Sequence, residues 1–241
     1  MYRLRLQLPK PHRVRYRYWD VLHDALVQGW LATGLPALAI TGPEARPWNF
    51  APLGYHHDSQ ENYCHTLIVS TPDPLLGTYL PKLDPAAVRY ARAITQEQVN
   101  FDGARITPEA DPLVPGQETL GALLLSPLVV RDLQTRRWWE SLQAGDLSAA
   151  VNARLSRLMG RPVQLTVTPD SLYLRANPKH SVLVPLKGSV QGRTHFAIGL
   201  SAPLVLSGPT ADLRLAWYAG IGEKNRAGLG CIGLISEGVG R

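Results

Sequence analysis

The chain opens on strict alternation. In residues 2–8, Leu4, Leu6 and Leu8 fall on one side and Arg3 and Arg5 on the other, the period-two pattern of a half-buried strand. From 18 to 32 the apolar positions Val21, Leu22, Ala25, Leu26 and Gly29 recur at helical spacing, until Gly34 and Pro36 stop the run. Residues 48–53 and 65–70 return to strand-like patterning around a polar turn at 56–62. Residues 85–94 predict a second helix, and 99–106, interrupted by Asp102 and Gly103, a last strand or hairpin. The order β-α-β-β-α-β is that of the split βαβ, or ferredoxin-like, unit.

Residues 109–117, with Pro112, Pro115 and Gly116, form a linker. A second cycle follows: an apolar strand at 120–130, a helix from 137 to 158, then strand-like runs at 163–168, 171–175, 182–186, 195–200 and 213–218. The predicted fold is α+β, two tandem ferredoxin-like domains at 1–112 and 113–241.

Composition adds a partner class. The charge is +6, from 25 Lys and Arg against 19 Asp and Glu, with 45% apolar residues. A folded basic protein rich in arginine suits a polyanion, because guanidinium groups pair with phosphate in a planar, bidentate way. Cys64 and Cys231 stand alone, with no pair or His/Cys cluster at metal-ligand spacing, so neither zinc nor any other metal or cofactor is expected, and the compartment is read as reducing. Basic and apolar residues alternate through the first 19 positions, unlike a signal peptide or membrane span; a cytoplasmic protein is expected.

The densest local signal lies at 220–230. Four glycines, Gly220, Gly222, Gly228 and Gly230, surround Glu223, Lys224, Asn225 and Arg226. Without Cβ atoms such a backbone can approach a phosphate closely, and Lys224 and Arg226 add charge. The segment lacks the Gly-Lys-Ser/Thr of a nucleotide loop and does not open a long helix, so dinucleotide and P-loop readings fail.

This glycine-rich stretch is similar, nearly position for position, to the C-terminal signature of the CRISPR repeat-processing endoribonucleases of the RAMP (repeat-associated mysterious protein) superfamily. Leu124-Leu125-Ser126-Pro127-Leu128-Val129-Val130 resembles that family's first strand of the second domain, and Pro47-Trp48-Asn49-Phe50-Ala51-Pro52-Leu53 its strand after the first helix. The resemblance implies two ferredoxin-like domains, CRISPR repeat RNA (single-stranded or hairpin) held in the cleft between them, and a cut within the repeat. It also allows an alternative: a non-catalytic subunit that keeps the RNA within an effector complex of other CRISPR subunits.

Metal-independent cleavage needs a group to take the 2'-hydroxyl proton, one to protonate the 5'-oxygen, and positive charge for the transition state. Histidine suits both proton roles. His23, at the border of the first helix's apolar face, is the first candidate, and one subfamily carries its catalytic histidine on this helix. His56 and His57 in the polar turn form a second candidate site, with Asp58 and Glu61 nearby to orient an imidazole. Many members instead place the histidine just before the second strand, and residues 39–46 contain none. Arg46 is therefore a candidate for transition-state stabilisation. Arg13, Arg15 and Arg17 alternate with Val14, Tyr16 and Tyr18, so that cations and rings together predict an RNA-facing stretch. His65 is expected in the core, and His195 beside the backbone of the ligand.

Overall fold

The computed structural model describes residues 1–42, 45–56, 62–93, 95–132, 134–188 and 194–235. The first half runs β1 (Tyr2–Gln7), β2 (Val14–Tyr16), α1 (Trp19–Ala32), a single-turn α2 (Ala37–Ile40), β3 (Asn49–His56), β4 (Asn62–Thr71), α3 (Pro74–Tyr79), the hairpin β5 (Arg89–Arg92) and β6 (Glu97–Asn100), and β7 (Arg105–Pro108). Its sheet sets β7, β1, β4 and β3 side by side, all antiparallel, with β2 prolonging the β1 edge along the start of β4.

The second half contains β8 (Thr119–Leu124), α4 (Leu147–Met159), β9 (Thr166–Pro169), α5 (Ser171–Ala176), the hairpin β10 (Ser181–Gly188) and β11 (Thr194–Leu200), β12 (Leu204–Ser207), α6 (Thr210–Ala219) and β13 (Ile232–Leu234). The sheet order β13-β8-β12-β9 repeats that of the first half: the last strand of the unit, then the first, the third and the second. Both halves are thus ferredoxin-like, and the second carries α5 and the β10–β11 hairpin as an insertion.

Each sheet buries the apolar face that alternation creates. Leu4 and Leu6 of β1 join Trp19, Leu22, Leu26 and Trp30 of α1 in one core, and Leu120, Ala122 and Leu124 of β8 join Val151, Leu155 and Leu213 in the other. The halves are also riveted together by charge. Arg3 is 2% exposed, and its guanidinium bonds to Glu109 at 2.5 Å, to the carbonyls of Ile232 and Trp217 at 2.8 and 3.2 Å, and stacks over the Trp217 ring. A buried cation is tolerated only when its donors are satisfied in this way. Between the sheets, Ala51 and Ile68 meet Cys231.

Four predicted elements differ. Residues 85–94 are not a helix: Asp84 accepts the Ala86 N–H and closes one 3-10 turn at Pro85–Ala87, after which β5 pairs with β6. The second helix is α3, where Asp73 accepts the Leu76 N–H and Pro74 occupies the first turn. The helix expected from 137 begins only at Leu147, because Asp146 caps it and the segment before it bridges Trp138 to Arg131 instead. Residues 171–175 and 213–218 are helical, not extended. Asp170 caps α5 through the N–H groups of Leu172 and Tyr173, and α6 is buried on nearly every side, which erases the 3.6-residue period. Strand β12, only four residues long with Leu204 and Leu206 inward, is too short for its alternation to stand out in the sequence.

Candidate nucleic-acid cleft

The fold brings one face of α1 opposite the glycine-rich loop across a cleft of about 570 Å³. Asp20, His23, Asp24 and Val27 of α1 form one wall, and Ile40, Thr41 and Gly42 continue it after α2. The second half supplies Arg154 from α4, Leu186 and Lys187 from β10, and Lys224 to Ala227 from the loop. Helical spacing explains the first wall: Val27 is one turn beyond His23 and Asp24, on the flank of the stripe that buries Trp19, Leu22, Leu26 and Trp30.

The His23 ring stacks on Trp48, with centroids 5.5 Å apart and planes 22° from parallel, and its Nδ1 lies 3.1 Å from Asp24 Oδ1. Arg92 of β5 donates to Asp20 at 2.7 Å and to Asp24 at 2.9 Å. Burial raises the pKa of both carboxyls. At Asp20 that effect prevails over Arg92, whereas at Asp24 the hydrogen bonds and charges of His23 and Arg92 outweigh it and hold the group below the ordinary carboxylate value.

The loop is braced against protein. Asn225 is buried, and its Nδ2 donates to the carbonyls of Ile221 and Leu229, both at 3.1 Å. The Gly230 N–H reaches the Pro127 carbonyl at 2.9 Å and the Glu223 N–H the Val129 carbonyl at 2.8 Å. Gly220, Gly222, Gly228 and Gly230 all have positive φ, and the space a Cβ would take at each is filled by protein atoms, of Asn49, Leu128, Phe50 and Ile221 in turn. What the loop offers to the cleft is side-chain charge. Lys224 is exposed and its ammonium lies over Trp138, while Arg226 is half-buried and donates to the Gly42 carbonyl at 3.4 Å.

No local sequence pattern marks Arg154 or Lys187 as a site residue. In the fold, Arg154 lies close to Glu223, but at 3.4 Å its Nε makes no hydrogen bond. Burial lowers the pKa of Arg154, with Arg157 and Arg226 acting in the same direction against Glu223, and burial lowers that of Arg226 too. Arginine still remains protonated near neutral pH, so the site holds cations that protein carboxylates only partly neutralise.

The other candidates lie elsewhere. Arg46 pairs with Asp73 at 2.9 Å and is not among the cleft residues. Arg13, Arg15 and Arg17 project outward from β2 and its continuation, but Val14, Tyr16 and Tyr18 are buried, so the rings expected beside the cations belong to the core. Arg13 instead covers the Tyr63 ring at 4.3 Å. His56 ends β3, and His57, with Asp58 and Glu61, lies outside the described residues. His65, expected in the core, is exposed because its strand neighbours Cys64 and Thr66 take the inward positions; His195 is exposed as well. His180 is structural, accepting the Leu142 N–H at 3.0 Å. Among the described residues no group of three or more His, Cys, Asp and Glu is placed to hold a metal ion, and no helix is long and apolar enough to cross a membrane.

Residues 116–234 match the family model of the CRISPR associated protein Cas6, C-terminal domain. Among solved structures, the fold is similar to a Cas6-related protein from Pyrococcus furiosus at TM-score 0.69 and 13% identity, over 98% of this chain and 99% of that one. It is similar to a RAMP protein described as binding different RNA substrates at 0.66 and 15%, over 98% and 100%. It is also similar to a Cas6 product complex at 0.57 and 16%, over 96% and 97%. No curated protein matches in sequence.

Proposed function

The chain belongs to the Cas6 family of RAMP proteins, and on that premise we propose that it binds CRISPR repeat RNA and cuts it without a metal ion, by attack of a 2'-hydroxyl on the adjacent phosphate. The observation that carries this reading is the convergence of His23 with Arg154, Lys187, Lys224 and Arg226 on one cleft. An imidazole with a free ring nitrogen can take the proton of the 2'-hydroxyl. The 2'-oxygen then bonds to phosphorus, the bond to the 5'-oxygen breaks, and that oxygen is protonated as it leaves, giving a 2',3'-cyclic phosphate. Fixed cations around the phosphate stabilise the charge that develops on its oxygens. In this reading the glycines shape the loop, and its Lys224 and Arg226 side chains make the contacts. Arg13, Arg15 and Arg17 extend the RNA track outside the cleft.

The test is incubation with the repeat RNA encoded beside the gene, in EDTA, with product ends mapped. Cleavage at one site, unchanged by chelator, is expected; activity lost in EDTA and restored by magnesium overturns the mechanism.

Binding carries a separate expectation. Each phosphate contact that is removed should lower the slope of log affinity against log salt by about 0.7 to 0.9. Changing both Lys224 and Arg226 to alanine should weaken repeat binding and flatten that dependence. An unchanged slope would leave the loop a purely structural element.

Among the described cleft residues, His23 is the one histidine, and this favours a second reading in which the protein holds the repeat for an effector complex without cutting it. The chelator experiment separates the two, since a pure binder leaves the RNA whole.

A further inference from the structure

We propose that Asp24, held in place by Arg92, is a positioning residue that keeps His23 in the Nδ1–H tautomer and leaves Nε2 as the proton-transfer atom. The inference rests on the reading of His23 as the proton-transfer group, and its structural half can be tested without that reading.

His23 and Asp24 are sequence neighbours on α1, where adjacent side chains ordinarily diverge by about 100°. Here the carboxylate turns back toward the ring, and Nδ1 and Oδ1 come within 3.1 Å. Arg92 holds the carboxylate there: it donates to Asp24 Oδ2 at 2.9 Å, leaving Oδ1 for the imidazole, and is anchored in turn by Asp20 at 2.7 Å. The Arg92 side chain is 12% exposed, so the arginine end of this clamp is shielded from the solvent that weakens surface ion pairs, while Asp24 is 32% exposed toward the cleft. Trp48 fixes the remaining freedom by stacking on the ring.

Tautomer follows from donor chemistry. An ionised carboxylate only accepts hydrogen bonds, so the ring nitrogen facing it must carry the proton. Asp24 is held ionised by the same two neighbours that it bonds. A neutral imidazole has one N–H, and with Nδ1 protonated the lone pair sits on Nε2, as a general base requires. Nε2 makes no hydrogen bond to any described residue, and His23 lines the cleft opposite the loop cations. A hydrogen bond between neighbours on a helix surface would carry little meaning by itself. The arginine that spends its two arms on Asp20 and Asp24, and so delivers one oxygen to the ring, makes it a device for orientation.

The test combines a spectroscopic readout with kinetics. Protein labelled with nitrogen-15 at histidine, studied in the alkaline range where imidazoles are neutral, should show His23 with a protonated Nδ1 and an unprotonated Nε2. Asp24→Ala should move the ring toward the opposite tautomer, Asp24→Glu should restore much of the native signal, and Arg92→Gln should give an intermediate one. In single-turnover cleavage, Asp24→Ala should lose roughly 10-fold or more with repeat affinity nearly unchanged, and should add little loss to a His23→Ala background. A native ring already protonated at Nε2, or one unmoved by Asp24→Ala, overturns the proposal. So does an Asp24→Ala protein that switches tautomer yet cuts at the native rate while His23→Ala does not cut. If His23→Ala itself cuts normally, the catalytic reading has failed, and the nitrogen spectra still decide whether Asp24 and Arg92 set the ring.

Discussion

His23→Ala should cut repeat RNA about 100-fold to 10,000-fold more slowly than the native protein, because removal of one proton-transfer group typically costs that much. Affinity should hardly change: one imidazole is a small part of an interface dominated by phosphate contacts. The measurement is single-turnover cleavage with filter binding on the same preparations, beside His56→Ala, His57→Ala and Arg46→Ala. Arg46, paired with Asp73 away from the cleft, should be nearly silent. A native rate in His23→Ala would remove it from the reaction. If Arg154→Ala or Arg226→Ala instead abolished cutting while every histidine variant cut normally, catalysis would rest on electrostatic stabilisation of the phosphate by the loop and α4.

The largest effect on stability should come from Gly220→Ala. At φ +73 and ψ 171 this residue ends α6 in a region that essentially only glycine occupies, and an added Cβ would lie 2.0 Å from the buried Asn49 Nδ2. Backbone strain of about 1 to 3 kcal/mol joins a comparable overpacking cost, for roughly 2 to 6 kcal/mol in all. In a chain of this size that corresponds to a fall in Tm on the order of 10 °C, read by thermal or urea unfolding. The same experiment distinguishes two uses of the glycines. If Gly220 were there to let an RNA phosphate approach, the alanine variant would keep its Tm and lose affinity.

Much of this molecule was readable from sequence, for reasons that differ by element. Strand β1 and helix α1 declare themselves because each has one buried and one exposed face, so polarity follows the backbone period. Helix α6 hides because Leu213, Leu215, Ala216, Trp217 and Tyr218 are all buried, and a run of that length broken only by Arg214 suits a strand as well. Capping chemistry would have rescued two elements: Asp73-Pro74 and Asp170-Ser171 are both N-terminal helix signals that apolar periodicity alone does not register.

For the site, His23 and the loop cations could be named from local pattern and family resemblance, whereas Arg154, Lys187 and Arg92 could not. Their roles arise from long-range packing. Arg92 reaches α1 only because β5 turns beside it, and Arg154 reaches the cleft only because the second unit sets α4 against the loop. The alternation at Arg13 to Tyr18 is real, but it turns Tyr16 and Tyr18 into the core, because a strand sends successive side chains to opposite faces; of these three arginines, Arg17 reaches back over a ring of the stretch, 5.1 Å from Tyr18.

The insertion in the second half has a consequence for how the chain comes to be folded. Val184 of β10 and Ala197 of β11 are members of the first half's core, and Tyr18 beside α1 meets Thr194 of the hairpin at 3.3 Å. During synthesis the first half therefore leaves the ribosome with part of its apolar surface uncovered, and it cannot be closed until the hairpin has been made. The N-terminal unit is complete in topology long before it is complete in burial. The two repeats of one architecture therefore share a core, and after a protease cut in the linker each half is expected to be less stable alone than within the chain.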